Sequence, residues 1–167
     1  MDYPERPGSD ALRIQYYTGF ASSVELAAKV NRQEEVTAAA LWRFNQWQYD
    51  FQLLAGIYNH DEAMAGIGWS GSIKNAGFRG EASYFHPRSN WQDAAGTFVV
   101  SGGVDYMFSN SLYLQTEAIY NQLPDDYQLT GFMGSLSQEF SAKQLLFTEY
   151  ALFMQGSYPI TPLWNAT

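Results

Sequence analysis

Few residues of this chain could carry out acid–base or nucleophilic chemistry. His60 and His86 are the only histidines among 167 residues, and there is no cysteine. A hydrolase site needs a histidine beside a serine nucleophile and an orienting amide or carboxylate. Asn59 and Asp61 flank His60, and Ser89 follows His86, but such spacings are common in polar loops. We interpret both histidines as loop residues near strand ends and predict no catalytic residue.

Two acidic pairs, Asp61–Glu62 and Asp125–Asp126, could bind calcium through carboxylate oxygens. Neither pair lies in the residue pattern of a dedicated calcium loop, so we interpret both as solvated acidic loops. The chain has no cysteine, so it has no thiolate ligand for a metal ion. It also has no glycine-rich motif that binds phosphate. The sequence predicts no metal site and no cofactor.

The composition limits the partners and the class of protein. A net charge of −8 argues against nucleic acid, which requires a basic surface. Aromatic residues reach 17% and charged residues only 16%, below the roughly 25% of an ordinary soluble domain. No apolar run approaches the ~20 residues of a membrane helix. A membrane-spanning strand escapes this test, because only every second residue must be apolar.

Strict alternation of side chains indicates strands. In "GFRGEASYFH", residues 77–86, Phe78 and Tyr84 share one phase, while Arg79 and Glu81 share the other. Arg79 and Glu81 are close enough to neutralise each other or a cross-strand partner. The alternation recurs along the chain, and a final strand begins at Leu163. The predicted strands are 11–19, 23–31, 35–45, 47–58, 63–71, 76–86, 96–108, 111–121 and 144–157.

Short and longer connections alternate between these strands. The short ones are "GFAS" at 19–22, "NQW" at 45–47, "SIKNA" at 72–76, "FSNS" at 108–111 and "YPITP" at 158–162. The longer ones lie at 31–35, 59–63, 86–96 and 121–143. A meander with short turns at one end and long loops at the other is typical of outer-membrane barrels.

Charged residues fall opposite the apolar phase, which any amphipathic sheet would show. Three details favour a membrane: an apolar stripe of about 9–11 residues per strand, aromatic residues at both ends of it, and small residues in its middle, where a soluble core needs larger side chains.

The predicted lumen-lining residues are Arg13, Glu25, Lys29, Arg43, Asp50, Arg79, Glu81, Asp105, Glu117 and Glu149. The predicted membrane-interface aromatics are Trp42, Phe44, Trp47, Tyr49, Tyr84, Tyr106, Phe108, Tyr120 and Tyr158.

Four segments carry a resemblance to a known family: "DYPERPGSDALRIQYY", "AGFRGEASYFHP", "NSLYLQTEAIYN" and "SYPITPLWNAT". Together they resemble porin-like outer-membrane β-barrel proteins of Gram-negative bacteria. The resemblance implies a barrel in the outer membrane and leaves any transported solute open. The chain departs from a complete member at both ends, since it shows no signal peptide and no final strand ending in an aromatic residue.

The sequence therefore predicts one all-β domain over residues 1–167, an antiparallel up-and-down meander. We expect it to be part of a larger transmembrane β-barrel, contributing about nine or ten strands, truncated at both ends. Its expected partners are the lipid bilayer and small solutes that pass through a charged lumen. Two alternatives stay open: a non-conducting structural or adhesive barrel, and a soluble β-barrel with reversed faces that binds an apolar ligand.

Overall fold

A computed structural model describes residues 10–30, 35–58, 61–89, 91, 95–122, 148–161 and 163–167. These residues form one antiparallel sheet of ten strands, in which each strand pairs with the next along the chain. The strands are β1 (Asp10–Gly19), β2 (Ser22–Val30), β3 (Val36–Gln46), β4 (Tyr49–Tyr58), β5 (Glu62–Ile73), β6 (Ala76–Pro87), β7 (Thr97–Met107), β8 (Tyr113–Asn121), β9 (Tyr150–Thr161) and β10 (Trp164–Ala166). The predicted all-β meander is confirmed. The sheet is not closed, because β1 and β10 do not pair with each other.

The pairing register divides the side chains between two faces, because directly opposite residues point the same way. Arg43 lies opposite Ser23 and Gln52, and Glu81 lies opposite Gly68 and Ser101. These residues define the polar face. On the other face, which we call the apolar face, Asp10 is the one Asp, Glu, Lys or Arg within the described strands, at the first position of β1.

The last long strand lies further along the chain than predicted. We predicted residues 144–157, whereas β9 spans Tyr150–Thr161; residues 144–147 lie outside the described part of the chain. The predicted turn "YPITP" is wrong, because 158–161 belong to β9. Pro159 lies beyond the last residue of β9 that pairs with β8, Ser157, and beside a register shift in the pairing with β10, a place where a strand tolerates proline.

The two ends of the sheet differ in their connections. Residues 20–21, 47–48, 74–75, 108–112 and 162–163 connect strands at one end, which we call the turn end. The strand ends that residues 31–35, 59–61, 88–96 and 122–149 connect lie at the opposite end, which we call the loop end. The predicted alternation is confirmed, because each loop-end connection is longer than the turn-end connections on either side of it along the chain.

The connection between β3 and β4 is a two-residue turn with left-handed backbone. Trp47 has φ 54° and Gln48 has φ 65°, as in the type I′ turns whose twist matches that of a hairpin. Asn-Gly is the usual pair in this turn. A bulky residue at positive φ is an outlier, so the geometry of the turn does not explain why a tryptophan occupies position 47.

The sheet has almost no hydrophobic core. Among the described residues only Phe85 and Val99 are buried apolar side chains, at 6% and 7% exposure, and the register puts both on the polar face. The apolar face is open: Leu152 and Met154 are 69% and 74% exposed. Burial of that face against other parts of the described chain therefore does not stabilise this sheet.

Gly80 and Gly102 are direct neighbours on the apolar face and provide a matched pair for mutation. A Cβ atom at Gly80 would lie 2.5 Å from the Trp69 ring and 2.9 Å from the Ser101 carbonyl oxygen, whereas at Gly102 its nearest neighbour would be 4.0 Å away. We expect Gly80→Ala to lower the free energy of unfolding by about 1–3 kcal/mol and Gly102→Ala to leave it unchanged or raise it. Urea titrations in detergent micelles measure both, and equal losses would contradict this packing.

Candidate functional site

The charged residues predicted from alternation lie together on the polar face. This holds for Arg13, Glu25, Lys29, Arg43, Asp50, Arg79, Glu81, Asp105 and Glu117. Glu149 lies just before β9 rather than inside a strand; its carbonyl oxygen accepts a hydrogen bond from the Asn121 N–H at 2.7 Å. The structure thus gathers nine of the ten on one face of the sheet.

A first ion-pair cluster links β1, β2 and β3. Arg13 Nε lies 2.6 Å from Glu25 Oε1, and a guanidinium nitrogen of Arg43 lies 3.4 Å from Glu25 Oε2. The Glu25 side chain is only 13% exposed, against 61% for Arg13 and 46% for Arg43. One half-buried carboxylate therefore accepts from two arginines and joins three strands.

A second cluster links β6, β7 and β8. A guanidinium nitrogen of Arg79 donates to Asp105 Oδ1 at 2.8 Å, and the other lies 3.8 Å from Glu117 Oε2. Glycines make this possible, because Gly103 lies opposite Arg79 and Gly77 lies opposite Asp105. A Cβ at Gly77 would approach Asp105 Oδ1 to 2.6 Å, so the long side chains lie across space that glycine leaves free.

Arg79 was expected to pair either with Glu81 or with a residue on another strand, and the structure shows the second, with Asp105 and Glu117. Glu81, on the same strand, makes no ion pair with the other described residues. Asp50 accepts a hydrogen bond from the Asn45 amide at 2.8 Å and likewise makes no ion pair within the described ranges. Two carboxylates of the polar face thus lack a cationic partner among those residues.

A cavity of about 690 Å³ opens on the polar face toward the turn end. Its lining extends from Tyr17 on β1 to Glu117 on β8, so the sheet curves with the polar face inside. Among the predicted lumen residues it includes Arg43, Asp50, Arg79, Glu81 and Glu117. Arg13, Glu25, Lys29 and Asp105 share the face but lie outside this lining.

The aromatic residues of the apolar face form two groups. At the turn end, Trp42 and Phe44 have ring centroids 4.5 Å apart, and Phe44 and Phe51 5.4 Å apart. At the loop end, Tyr84 lies 4.6 Å from Phe98. Further members are Tyr49, Tyr106 and Tyr158 toward the turn end, and Tyr120 toward the loop end. Trp47 lies in its turn, and Phe108 follows β7, 4.6 Å from Tyr106.

Small side chains recur near the middle of the apolar face. Across β3 to β7 they are Ala40, Ala55, Ala65, Ala82 and Gly102, and the larger Leu53 and Ile67 share the central positions of β4 and β5. In these five strands, small residues lie between the flanking groups of rings.

Of the histidine and acidic candidates, His86 and the Asp61–Glu62 pair lie in the part of the chain that the structure describes. His86 is 7% exposed, its Nδ1 lies 2.9 Å from the Pro87 carbonyl oxygen, and its ring packs 4.1 Å from that of Trp91. None of its contacts with described residues is to a serine or a carboxylate. His60 and the Asp125–Asp126 pair lie outside the described residues. Within the described ranges, no three His, Cys, Asp or Glu residues are grouped so as to hold a metal ion.

Sequence reasoning missed two features of this site. The β1–β2 turn brings Phe20 to the cavity, which no local pattern indicates. A glycine inside a strand indicates a bend or a close approach, and the structure shows a close approach at Gly68, but the sequence did not indicate its partner. Gly68 lies under the side chain of Gln52, whose Nε2 would be 2.6 Å from a Cβ there. The pairing of glycine with a long polar residue becomes visible only once the register is known.

No protein family model, curated protein or solved structure matches this chain. In the part of the chain that the structure describes, no helix has the length and apolar character to cross a membrane.

The second ion-pair cluster makes a coupling prediction. In a double-mutant cycle of Arg79→Gln and Asp105→Asn, we expect a coupling energy of about 1 kcal/mol that falls as salt is added. Arg79→Gln with Glu81→Gln is the matched control and should couple more weakly, since those side chains make no ion pair. Unfolding titrations of the four-variant cycles measure both energies. A larger coupling energy between Arg79 and Glu81 than between Arg79 and Asp105 would contradict the ion pair of Arg79 with Asp105.

Proposed function

We propose that this chain forms the wall of a porin-like β-barrel in the outer membrane of a Gram-negative bacterium. The polar face lines a wet lumen through which small solutes pass, and the apolar face contacts lipid. One observation carries the proposal: the concave face holds the charges and the cavity, whereas the other face is apolar and uncovered.

A soluble protein would not leave the apolar face of this sheet exposed. Ile14, Leu152 and Met154 are each more than half exposed, and leaving such side chains in water forgoes about 1.5–3 kcal/mol each. A soluble barrel with reversed faces would enclose these residues. Instead the cavity on the polar face includes Arg43 and Asp50 in its lining, beside aromatic residues such as Phe20 and Trp69. Charged groups in the cavity favour lipid as the medium around the apolar face.

The dimensions of the apolar face suit a bilayer. β1 to β9 contain between 9 and 12 residues, and about 9–11 residues at a tilt of about 45° cross the hydrocarbon core. Rings at both ends of the face fit the two membrane–water interfaces, because Trp and Tyr combine an apolar body with a polar edge. Lipid tails can fill the space around the alanines and glycines between them.

The polar face suits water and solutes rather than a dry interior. Its cavity lining combines charged Arg79 and Glu81 with Gln52, Ser70 and Ser101, and Arg79 retains 40% exposure despite its ion pairs. Charged rings on a lumen wall set which solutes pass. The two ion-pair clusters tie neighbouring strands together, while Asp50 and Glu81 keep carboxylates directed at the cavity.

The lipid-facing assignment predicts a strong face dependence for an added charge. Ala40 and Leu41 are adjacent in β3, on the apolar and polar faces respectively. We expect Ala40→Arg to destabilise the vesicle-inserted protein by about 2–4 kcal/mol, the cost of arginine at the bilayer midplane. Leu41→Arg, opposite Glu25, should change stability by less than about 1 kcal/mol. The measurement is reversible urea unfolding from lipid vesicles.

Two results would count against a membrane barrel. One is an equal loss of stability in the Ala40→Arg and Leu41→Arg variants. The other is an unmodified chain that stays soluble and monodisperse without detergent, which would favour the soluble β-barrel with an apolar ligand.

The absence of cysteine allows a direct test of the lumen. Gln52 lines the cavity and Leu53 lies on the apolar face. In vesicles, a membrane-impermeant thiol reagent should modify the Gln52→Cys variant at least about tenfold faster than the Leu53→Cys variant, because an apolar environment suppresses the thiolate. In planar bilayers the same modification should reduce conductance of the Gln52→Cys variant only.

The outcomes separate the two membrane hypotheses. If the reagent modifies the Gln52→Cys variant selectively but the protein conducts no current in planar bilayers, a non-conducting structural or adhesive barrel is favoured. Equal modification of the two variants would contradict the division of faces between lumen and lipid.

A further inference from the structure

The two arginines that line the polar-face cavity are held away from its centre by their ion pairs. Arg43 on β3 contacts Glu25 on β2. Arg79 on β6 contacts Asp105 on β7 and Glu117 on β8. The two guanidinium groups are thus drawn in opposite directions along the sheet, and β4 and β5, which lie between them, contribute no residue to either ion-pair cluster.

Carboxylates line the cavity between the two clusters. Asp50 on β4 and Glu81 on β6 both belong to the lining, and neither makes an ion pair with another described residue. The hydrogen bond that Asp50 accepts from the Asn45 amide leaves its charge uncompensated. On β5, Ser70 lies opposite Asp50, and Gly68 lies opposite Glu81. No bulky side chain of β5 therefore separates the two carboxylates.

The charge balance of the polar face is negative around this cavity. One carboxylate faces two arginines in the first cluster, and one arginine faces two carboxylates in the second, so the two clusters together are neutral. Among the described strand residues of this face, Lys29 and Glu62 lie near the loop end. Toward the turn end, Asp50 and Glu81 therefore leave two uncompensated negative charges, which attract a cation into the cavity.

Two aromatic side chains of the β1–β2 hairpin border the same cavity. Tyr17 lies on the polar face opposite Ser23 and is 70% exposed, while Phe20 lies in the turn and is fully exposed. Hairpin turns in water favour Asn, Asp and Gly, so the turn itself does not require Phe20. An uncovered ring at a cavity offers a ligand an apolar surface and a face that attracts cations. The other rings of the lining, which the register places on the apolar face, are Phe44, Phe51 and Trp69.

We propose that this cavity binds organic cations in which an ammonium group is joined to an apolar ring by a short chain. The ammonium group lies between Asp50 and Glu81, which accept its N–H groups in charge-assisted hydrogen bonds. The ring lies against Phe20 and Tyr17. The inference rests on the proposed lumen and names the class of solute that its wall selects.

The dimensions of the cavity suit such a ligand. Neighbouring strands are about 4.8 Å apart, so the β1–β2 hairpin and the carboxylate on β4 lie about 10 Å apart across the sheet. A ring and an ammonium group joined by four carbon atoms can bridge this separation together with the Phe20 side chain. The volume of about 690 Å³ falls within the range of roughly 300–1,000 Å³ found for small-molecule sites.

Protection of a cysteine from modification tests the site without requiring conductance. Gln52 lies between the two carboxylates, since it is two residues from Asp50 on β4 and lies opposite Gly68, whose other neighbour is Glu81. In micelles of a non-ionic detergent, we expect 4-phenylbutylamine to slow the reaction of the Gln52→Cys variant with neutral methyl methanethiosulfonate. Propylamine, which lacks the ring, should need at least about a fivefold higher concentration for half-protection. The uncharged 4-phenylbutanol and the anionic 4-phenylbutanoate should not protect at the concentrations at which the amine does.

Variants in the Gln52→Cys background assign the two parts of the ligand. Asp50→Asn and Glu81→Gln should each raise the half-protection concentration of 4-phenylbutylamine about fivefold, as expected for the loss of one nearby charge. Asp10→Asn, on the apolar face at the loop end, is the matched control and should leave it unchanged. Phe20→Ser should raise it about threefold for 4-phenylbutylamine and leave it unchanged for propylamine, a difference that a general loss of folding would not produce.

The Leu53→Cys variant separates failure of this site from failure of the proposed lumen. If Gln52→Cys reacts faster than Leu53→Cys but the amine does not slow its reaction, the cation site is overturned and the lumen stands. The same conclusion follows if protection persists when Asp50→Asn and Glu81→Gln are combined, or if the amine slows both cysteines equally. If the two cysteines react at the same rate without amine, the division of faces fails and both proposals are wrong.

Discussion

Nearly every feature of this sheet depends on its pairing register. Side chains alternate with a period of two, so a slip of one residue in any strand would exchange its faces. A slip in β6 would move Arg79 and Glu81 to the apolar face and Phe78 and Tyr84 to the cavity. In a bilayer each misplaced arginine would cost about 2–4 kcal/mol. The charged residues therefore specify the register of a sheet that has almost no core to specify it by packing.

Glycine lets the polar face hold so many long side chains. Gly68, Gly77 and Gly103 lie opposite Gln52, Asp105 and Arg79 in the register, and each leaves the space into which its neighbour's side chain extends. Arg79 therefore reaches Asp105 diagonally on β7 and Glu117 straight across Gly103 on β8. The second ion-pair cluster and its glycines are two parts of one arrangement, since larger residues in place of Gly77 and Gly103 would displace the charges.

Alternation along single strands was enough to predict the meander, most strand bounds and the division of faces. It failed at the ends of β9: Phe153 lies opposite Glu117 on the polar face, which weakens the alternation, and Pro159 lies inside the strand although proline is a turn signal. It also could not assign the partners of Arg79, because Asp105 is 26 residues away and their contact depends on an offset between strands. The short turn between β3 and β4 was predicted at 45–47 and lies at 47–48, but its type was not predicted, since Trp-Gln is not the usual residue pair of a type I′ turn.

The polar face is itself divided along the strand axis. Toward the turn end it holds the cavity, with Arg43 and Asp50 on its wall. Toward the loop end, three of its side chains on β6, β7 and β8 are buried: Phe85 and Val99 are at 6% and 7% exposure, and Asn121 is at 0%. In the proposed barrel, the wet lumen along these strands would therefore widen toward the turn end and narrow toward the loop end. Discrimination between solutes would then depend on the loop-end half for size and on the carboxylates and arginines of the turn-end half for charge.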